Sequence, residues 1–200
     1  MIIETSWDDG TRQDLKIAKL LEKYNLTGTF YIPTSCELTP HEIKKLSTKH
    51  TIGGHTISHP KDMKLLSDED QWIEIYNNKK WLEKIIGKKI TKFCYPSGRF
   101  NDKTVELVKK AGYKEARTTK ILNTKKPKDK FRIEATIHAY PFRTEYNKRA
   151  WLWHARNNFV EAKANNGYFH LWGHSWEVTK WEQWKKLEEL LKYISDNKDN

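Results

Sequence analysis

The apolar positions of this 200-residue chain alternate between two periods. Ile2 to Trp7 is a short apolar run that meets Asp8-Asp9-Gly10, which predicts a strand opening into a loop. Thr11 is the predicted cap of the next helix, with Asp14 three residues on and Leu15, Ala18 and Leu21 on its apolar stripe. Thr27 to Ile32 reads as a second strand, closed by Pro33, and Thr39, Pro40 and Glu42 form a capping box for a second helix. A strand or loop is expected over Thr51 to Thr56. A long helix follows from Ser67, with Trp72, Ile75, Tyr76, Leu82 and Ile85 on one face and Gly87 at its end. Ile90 to Tyr95 predicts a strand, Asn101 to Gly112 a helix, and Tyr113 to Thr118 a strand.

Between Thr119 and Tyr146 the pattern is weak, although Phe131 to Ile137 alternates as a strand would. Residues 147 to 165 read as helix, Tyr168 to Trp172 as strand, and Trp181, Trp184, Leu187, Leu190, Leu191 and Ile194 as the stripe of a last helix. Strands alternating with helices predict parallel strands joined by helical crossovers, in a single domain over residues 1–200. An open doubly wound sheet and a (β/α) barrel both fit. Asp8-Asp9-Gly10-Thr11 is acidic where a phosphate fingerprint would be glycine-rich, and in a parallel barrel the chemistry gathers where strands end.

Charge alters this picture little. Lys plus Arg number 37 against 26 Asp plus Glu, a formal net charge of +11. The lysines are spread over the chain, which reads as a solvated surface and not as a phosphate-tracking patch, so no nucleic acid is expected. No apolar run approaches the ~18 residues of a membrane span. Met1-Ile2-Ile3 meets Glu4 at once, unlike a signal peptide, so the expected location is cytoplasmic, or extracellular if a leader was trimmed. Cys36 and Cys94 are too few for a disulfide scaffold and read as buried thiols.

The predicted strand ends carry the chemistry: Asp8-Asp9, His55 to His59, Tyr95 to Arg99, and His170 to His174. Four extended residues span ~13 Å, too far for two rings to share one ion. One helical turn brings Cα atoms to about 6 Å, so a turn between His55 and His59 is expected. Two histidines and one carboxylate make three protein ligands with a position left open for water, the count of a catalytic zinc site. Of the two aspartates, one would ligate and its neighbour would take a proton from the bound water. His174 is the candidate to protonate a departing amine. The residues therefore point to metal-assisted hydrolysis of an amide or ester.

Ser6-Trp7-Asp8-Asp9-Gly10, His55-Thr56-Ile57-Ser58-His59 and Leu171-Trp172-Gly173-His174, in that order, resemble the polysaccharide deacetylases with the NodB homology domain, carbohydrate esterase family 4. The resemblance runs from about Ile3 to His174. It implies a distorted (β/α) barrel of about seven parallel strands. It also implies a divalent metal, zinc foremost with cobalt, nickel or manganese as alternatives, and removal of acetyl groups from an acetylated amino sugar or glycan. By position, Asp9, His55 and His59 match the metal ligands, Asp8 the base and His174 the acid. Tyr95 matches a residue whose backbone N–H serves the oxyanion.

Two positions depart from the family pattern. The arginine that orients the base is replaced by Cys94, with Arg99 or Arg117 as candidates to reach in instead. Ala116-Arg117-Thr118-Thr119 stands where an aspartate partner of the acid histidine is expected, with Glu177 or Glu134 as candidates for that role. Trp172, Trp176, His138 and Tyr140 are candidates to line the substrate groove. The alternatives are a non-catalytic, metal-containing glycan-binding module and, because two His and one carboxylate also suit Fe(II), a non-haem iron oxygenase. The oligomeric state is left open.

Overall fold

The computed structural model describes residues 1–198. Among them, seven parallel strands form one sheet. The first half of the chain supplies β1 (Ile2–Asp8), α1 (Asp14–Lys23), β2 (Thr29–Ile32), α2 (Pro40–Leu46), β3 (Thr51–Gly54) and α3 (Asp68–Ile86). The second half supplies β4 (Lys92–Cys94), α4 (Asp102–Lys110), β5 (Glu115–Arg117), β6 (Ile137–His138), α5 (Trp151–Ala164), β7 (Tyr168–His174), α6 (Ser175–Lys180) and α7 (Trp184–Asn197). The sheet order is β5-β4-β3-β2-β1-β7-β6, and of the two architectures that the alternation allowed it curls into the distorted barrel that the family resemblance implies. No helix among the described residues is long and apolar enough to cross a membrane.

Several elements form for the predicted reasons. Thr39 and Glu42 close the capping box of α2 with Pro40 inside, Ser67 accepts from the Asp70 N–H at the start of α3, and Gly87 ends α3 at φ 71°. Three local expectations fail. Thr11 does not cap α1; its hydroxyl pairs with Ser175 at 2.8 Å, and Gln13 stands at the cap without a side-chain bond. Phe131 to Ile137 is not a strand, since only Ile137–His138 pairs regularly with β7. Instead this segment bonds irregularly on both sides, Ala116 N–H to Lys130 O and Thr136 N–H to His170 O, and so bridges the gap between β5 and β7. Trp181 does not join the last helix; it ends a separate one, α6, that begins directly on β7.

Helices pack their apolar stripes on the outside of the sheet, with Ile17, Leu21, Ile75, Leu82, Val108, Phe159, Leu187 and Leu191 among the buried contacts. The barrel interior is polar. Strand register sets Asp8 beside His174, His138 beside Trp172, and Cys94 beside Arg117. These pairs all lie at the carboxyl ends of their strands, one layer of side chains around one opening. Gly54 closes β3 where an added Cβ would meet the Tyr113 hydroxyl, so glycine lets Tyr113 pack against the strand end just before His55.

Candidate functional site

A cleft of about 330 Å³ opens at that end of the barrel, lined by Asp8, Asp9, His55, His59, Ser97, Thr119, His138, Arg143, Trp172, His174 and Trp176. Asp9 leaves β1 at φ 82°, a left-handed turn that aims its side chain back over the strand ends. Its Oδ1 lies 3.6 Å from His55 Nε2 and 3.6 Å from His59 Nε2, and Oδ2 accepts from Trp176 Nε1 at 2.9 Å. Oδ1 is buried and has no hydrogen-bond partner among the described residues. One donor atom from each of Asp9, His55 and His59 lies within 4.8 Å of the others.

The two imidazoles do not meet through a helical turn. Thr56 and His59 both take positive φ, 68° and 54°, and the loop between them is irregular. Glu74, reaching from α3, pins it by accepting from Ile57 N (2.7 Å), Ser58 N (2.9 Å) and Ser58 Oγ (2.7 Å). Two left-handed residues thus achieve what the spacing argument assigned to a helix, and the rings end with centroids 4.8 Å apart. His55 Nδ1 donates to Cys94 O at 2.8 Å, which fixes the tautomer and leaves Nε2 free on the Asp9 side. The donor set and the orphaned Asp9 oxygen together suit a divalent cation.

Asp8 points to the other side. Arg117 donates from Nη2 to Asp8 Oδ2 and to Cys94 Sγ at 2.9 Å, while its Nη1 donates to Thr118 O at 2.9 Å. Both side chains are almost wholly buried, and the guanidinium sits 4.4 Å over the Trp172 ring. Burial opposes ionisation of Asp8, but Arg117, with His55 and His174, outweighs it and holds the carboxyl below its ordinary range. Arg117 therefore occupies the space that Cys94 leaves, arriving from the neighbouring strand at the same register level. Arg99 does not reach in; it is exposed on the loop after β4.

Across the cleft, Glu177 accepts from His174 Nδ1 at 2.6 Å and from His138 Nε2 at 2.8 Å. Burial raises the carboxyl pKa of Glu177, but the two imidazole hydrogen bonds bring it down to about 2. Burial works against protonated His174, yet Glu177, with Asp9 and Asp8, raises its pKa. Glu134 is not its partner and instead pairs with Lys120 at 3.6 Å. Tyr95 is placed differently from its expected role: its N–H donates to Arg117 O at 3.1 Å and its hydroxyl to Phe131 O at 3.0 Å. With the amide committed to strand pairing, it is not a free donor to an oxyanion.

Trp172, Trp176 and His138 line the cleft as expected. Tyr140 lies just behind, with its ring 5.3 Å from His138. Ser97 and Thr119 fall within segments that the sequence marked, without a role assigned to either. Sequence reasoning missed Glu74 and Arg143, which stand on a distant helix and in a loop, where no local pattern marks them.

A family model described as polysaccharide deacetylase matches residues 2–116, more than half of the chain. The chain belongs to the polysaccharide deacetylase family. The Bacillus subtilis protein YxkH, named as a polysaccharide deacetylase, is 28% identical over 121 residues, covering 57% of this chain and 43% of YxkH. The Streptococcus pyogenes deacetylase PplD, solved with acetate, is 27% identical with a TM-score of 0.55 over 57% of this chain and 54% of its own. The chain thus spans about half the length of these two relatives or less. BA3943 of Bacillus anthracis, described as a pseudoenzyme of carbohydrate esterase family 4, superposes with a TM-score of 0.69 at 15% identity, over 98% of this chain and 60% of its own. That likeness is one of fold, and it extends over the part of the chain beyond residue 116.

Proposed function

We propose that this protein hydrolyses acetyl groups from an acetylated amino sugar or glycan, with a divalent cation held by Asp9, His55 and His59. The observation that carries the reading is the buried, unpartnered Asp9 Oδ1 facing two imidazoles at 3.6 Å, with the Arg117-bound Asp8 next in the chain. Zinc is the first choice for two nitrogens and one oxygen; cobalt, nickel and manganese are the others. A cation in that position supplies Lewis acidity to the acetyl carbonyl oxygen and to the attacking water.

The chain's own residues do the proton work. Asp8, kept ionised by Arg117, takes a proton from the attacking water. His174, with Nδ1–H held by Glu177, presents Nε2 to the cleft and gives a proton to the departing nitrogen as the C–N bond breaks, leaving acetate and a free amine. Trp172, stacked on His138 and lying under Arg117, lines the cleft wall, and the indole of Trp176 holds the second oxygen of Asp9.

Two features favour turnover over a non-catalytic glycan-binding role. The arginine missing at Cys94 is replaced by Arg117, and the missing aspartate partner of His174 is replaced by Glu177. The test is acetate release from N-acetylated chitin oligomers, peptidoglycan fragments and O-acetylated xylan, using protein stripped with chelator and then reloaded with each metal. Acetate from at least one substrate, dependent on metal, supports the reading. Metal-dependent sugar binding without acetate would assign the protein to the binding role.

A further inference from the structure

The cleft does not end at Arg143. That residue also lines a second groove of about 640 Å³ along the segment from Pro141 to Ala150, with Lys148 and Arg149 on its wall. We infer that this groove holds an anionic sugar next to the one being deacetylated, so that the substrate is an acetylated glycan carrying carboxylate or phosphate groups. This rests on the deacetylase reading for the site beside it.

Three observations carry the inference. First, the segment holds three cations, Arg143, Lys148 and Arg149, against one carboxylate, Glu145. Second, Arg143 is braced between the two clefts that it lines. Its Nη2 donates to Thr119 O at 3.1 Å and to Glu145 Oε1 at 2.7 Å, while its Nε–H is buried with no partner among the described residues. These bonds hold the Arg143 guanidinium where the cleft and the groove meet, and a guanidinium so placed is a strong donor to an anionic oxygen. Third, apolar ring faces stand beside the charges. Phe142 is 59% exposed and is propped edge-on by Trp181 at 4.7 Å, while Arg149 lies 4.2 Å over the ring of Trp153, itself 44% exposed. Sugar rings offer apolar C–H faces to such aromatics and their charged groups to such cations. A neutral glycan would use the aromatics and leave the excess positive charge of the segment uncompensated.

The test compares three acetylated oligosaccharides of equal length: neutral, hexuronate-bearing and phosphate-bearing. Affinity is measured by calorimetry on the acetylated forms with the Asp8→Asn protein, which does not turn them over, so binding is read apart from turnover. At about 50 mM salt at least one anionic form should bind about tenfold more tightly than the neutral form, and the gap should shrink by about 500 mM. Joint Lys148→Glu and Arg149→Glu substitution should shift the anionic-to-neutral affinity ratio by about tenfold toward the neutral form. Response of one anionic arm or the other identifies the charged group. Equal affinities, or a ratio the substitutions do not move, overturn the inference. So does tighter binding of a single-stranded oligonucleotide that the same substitutions abolish. Anionic binding without acetate release from any acetylated substrate would sink the deacetylase reading and leave the groove assignment standing, whereas metal-dependent acetate release with equal affinities would do the reverse.

Discussion

Arg117 reaches from β5 across the barrel to Asp8 at the end of β1 and shares its guanidinium with Cys94 on the adjacent strand β4. The two charges are buried together, so removing one leaves the other stranded. Arg117→Met should lower stability by about 3–5 kcal/mol and abolish measurable turnover, because an unpaired buried Asp8 takes up a proton and stops serving as base. Adding Cys94→Arg to Arg117→Cys should recover much of both, since Cys94 and Arg117 stand side by side in register. Denaturant unfolding and kcat/KM on the three proteins check this. A double variant no better than Arg117→Met would show that the strand from which the arginine comes is fixed.

Glu177 ties His174 to His138. Glu177→Gln keeps the shape and removes the charge that favours protonated His174, so kcat should fall by about 100-fold while bound metal stays at the wild-type level. Metal analysis alongside single-substrate kinetics separates the two. Loss of metal in this variant would mean that Glu177 supports the cation site and not the acid.

The loop from His55 to His59 depends on Glu74 for three hydrogen bonds. Glu74→Ala should weaken metal affinity by about 10–100-fold, with stability of the metal-free protein lowered far less. Competition against a chromogenic chelator gives the affinity, and thermal unfolding without metal gives the control.

At the opposite end of the barrel interior, His170 lies between Ser6 Oγ (2.8 Å) and the Tyr168 hydroxyl (2.7 Å). Burial, with help from Arg117 and Lys92, outweighs the pull of Glu4 and lowers its pKa to about 3 from 6.5. The unfolded chain therefore binds a proton that the folded one refuses in the window from about 6.5 down to about 3, and stability falls as pH falls. One such proton is worth about 1.4 kcal/mol per pH unit. His170→Gln should flatten the slope of unfolding free energy against pH by that amount. An unchanged slope would show that His170 does not govern it.

The strand-and-helix order, the caps at Thr39 and Ser67 and the stop at Gly87 were legible because local chemistry decides them. The cluster of Asp8, Asp9, His55, His59 and His174 was legible because each ends or follows a strand, and parallel strands bring their ends together. The loop geometry at His55 to His59 was not, since nothing in Thr56 or His59 announces a positive φ. Thr11 had the composition of a cap but was drawn away by Ser175, a partner 164 residues along the chain. Arg117 and Glu177 stood among the candidates, yet only the register of β5 on β4 and the direct start of α6 on β7 select them over Arg99 and Glu134. Arg143 and Glu74 left no trace, because what gives them meaning is the folded neighbour and not the flanking sequence.

The central claim is that Asp9, His55 and His59 hold a catalytic cation while Asp8 beside them moves the proton. Metal stoichiometry and acetate release measured together on wild type and Asp8→Asn test it most directly. The account predicts one divalent cation per chain in both proteins and acetate release from an acetylated sugar by the wild type alone. Full activity in Asp8→Asn, or a metal-loaded wild type that releases no acetate from any acetylated sugar, would contradict it.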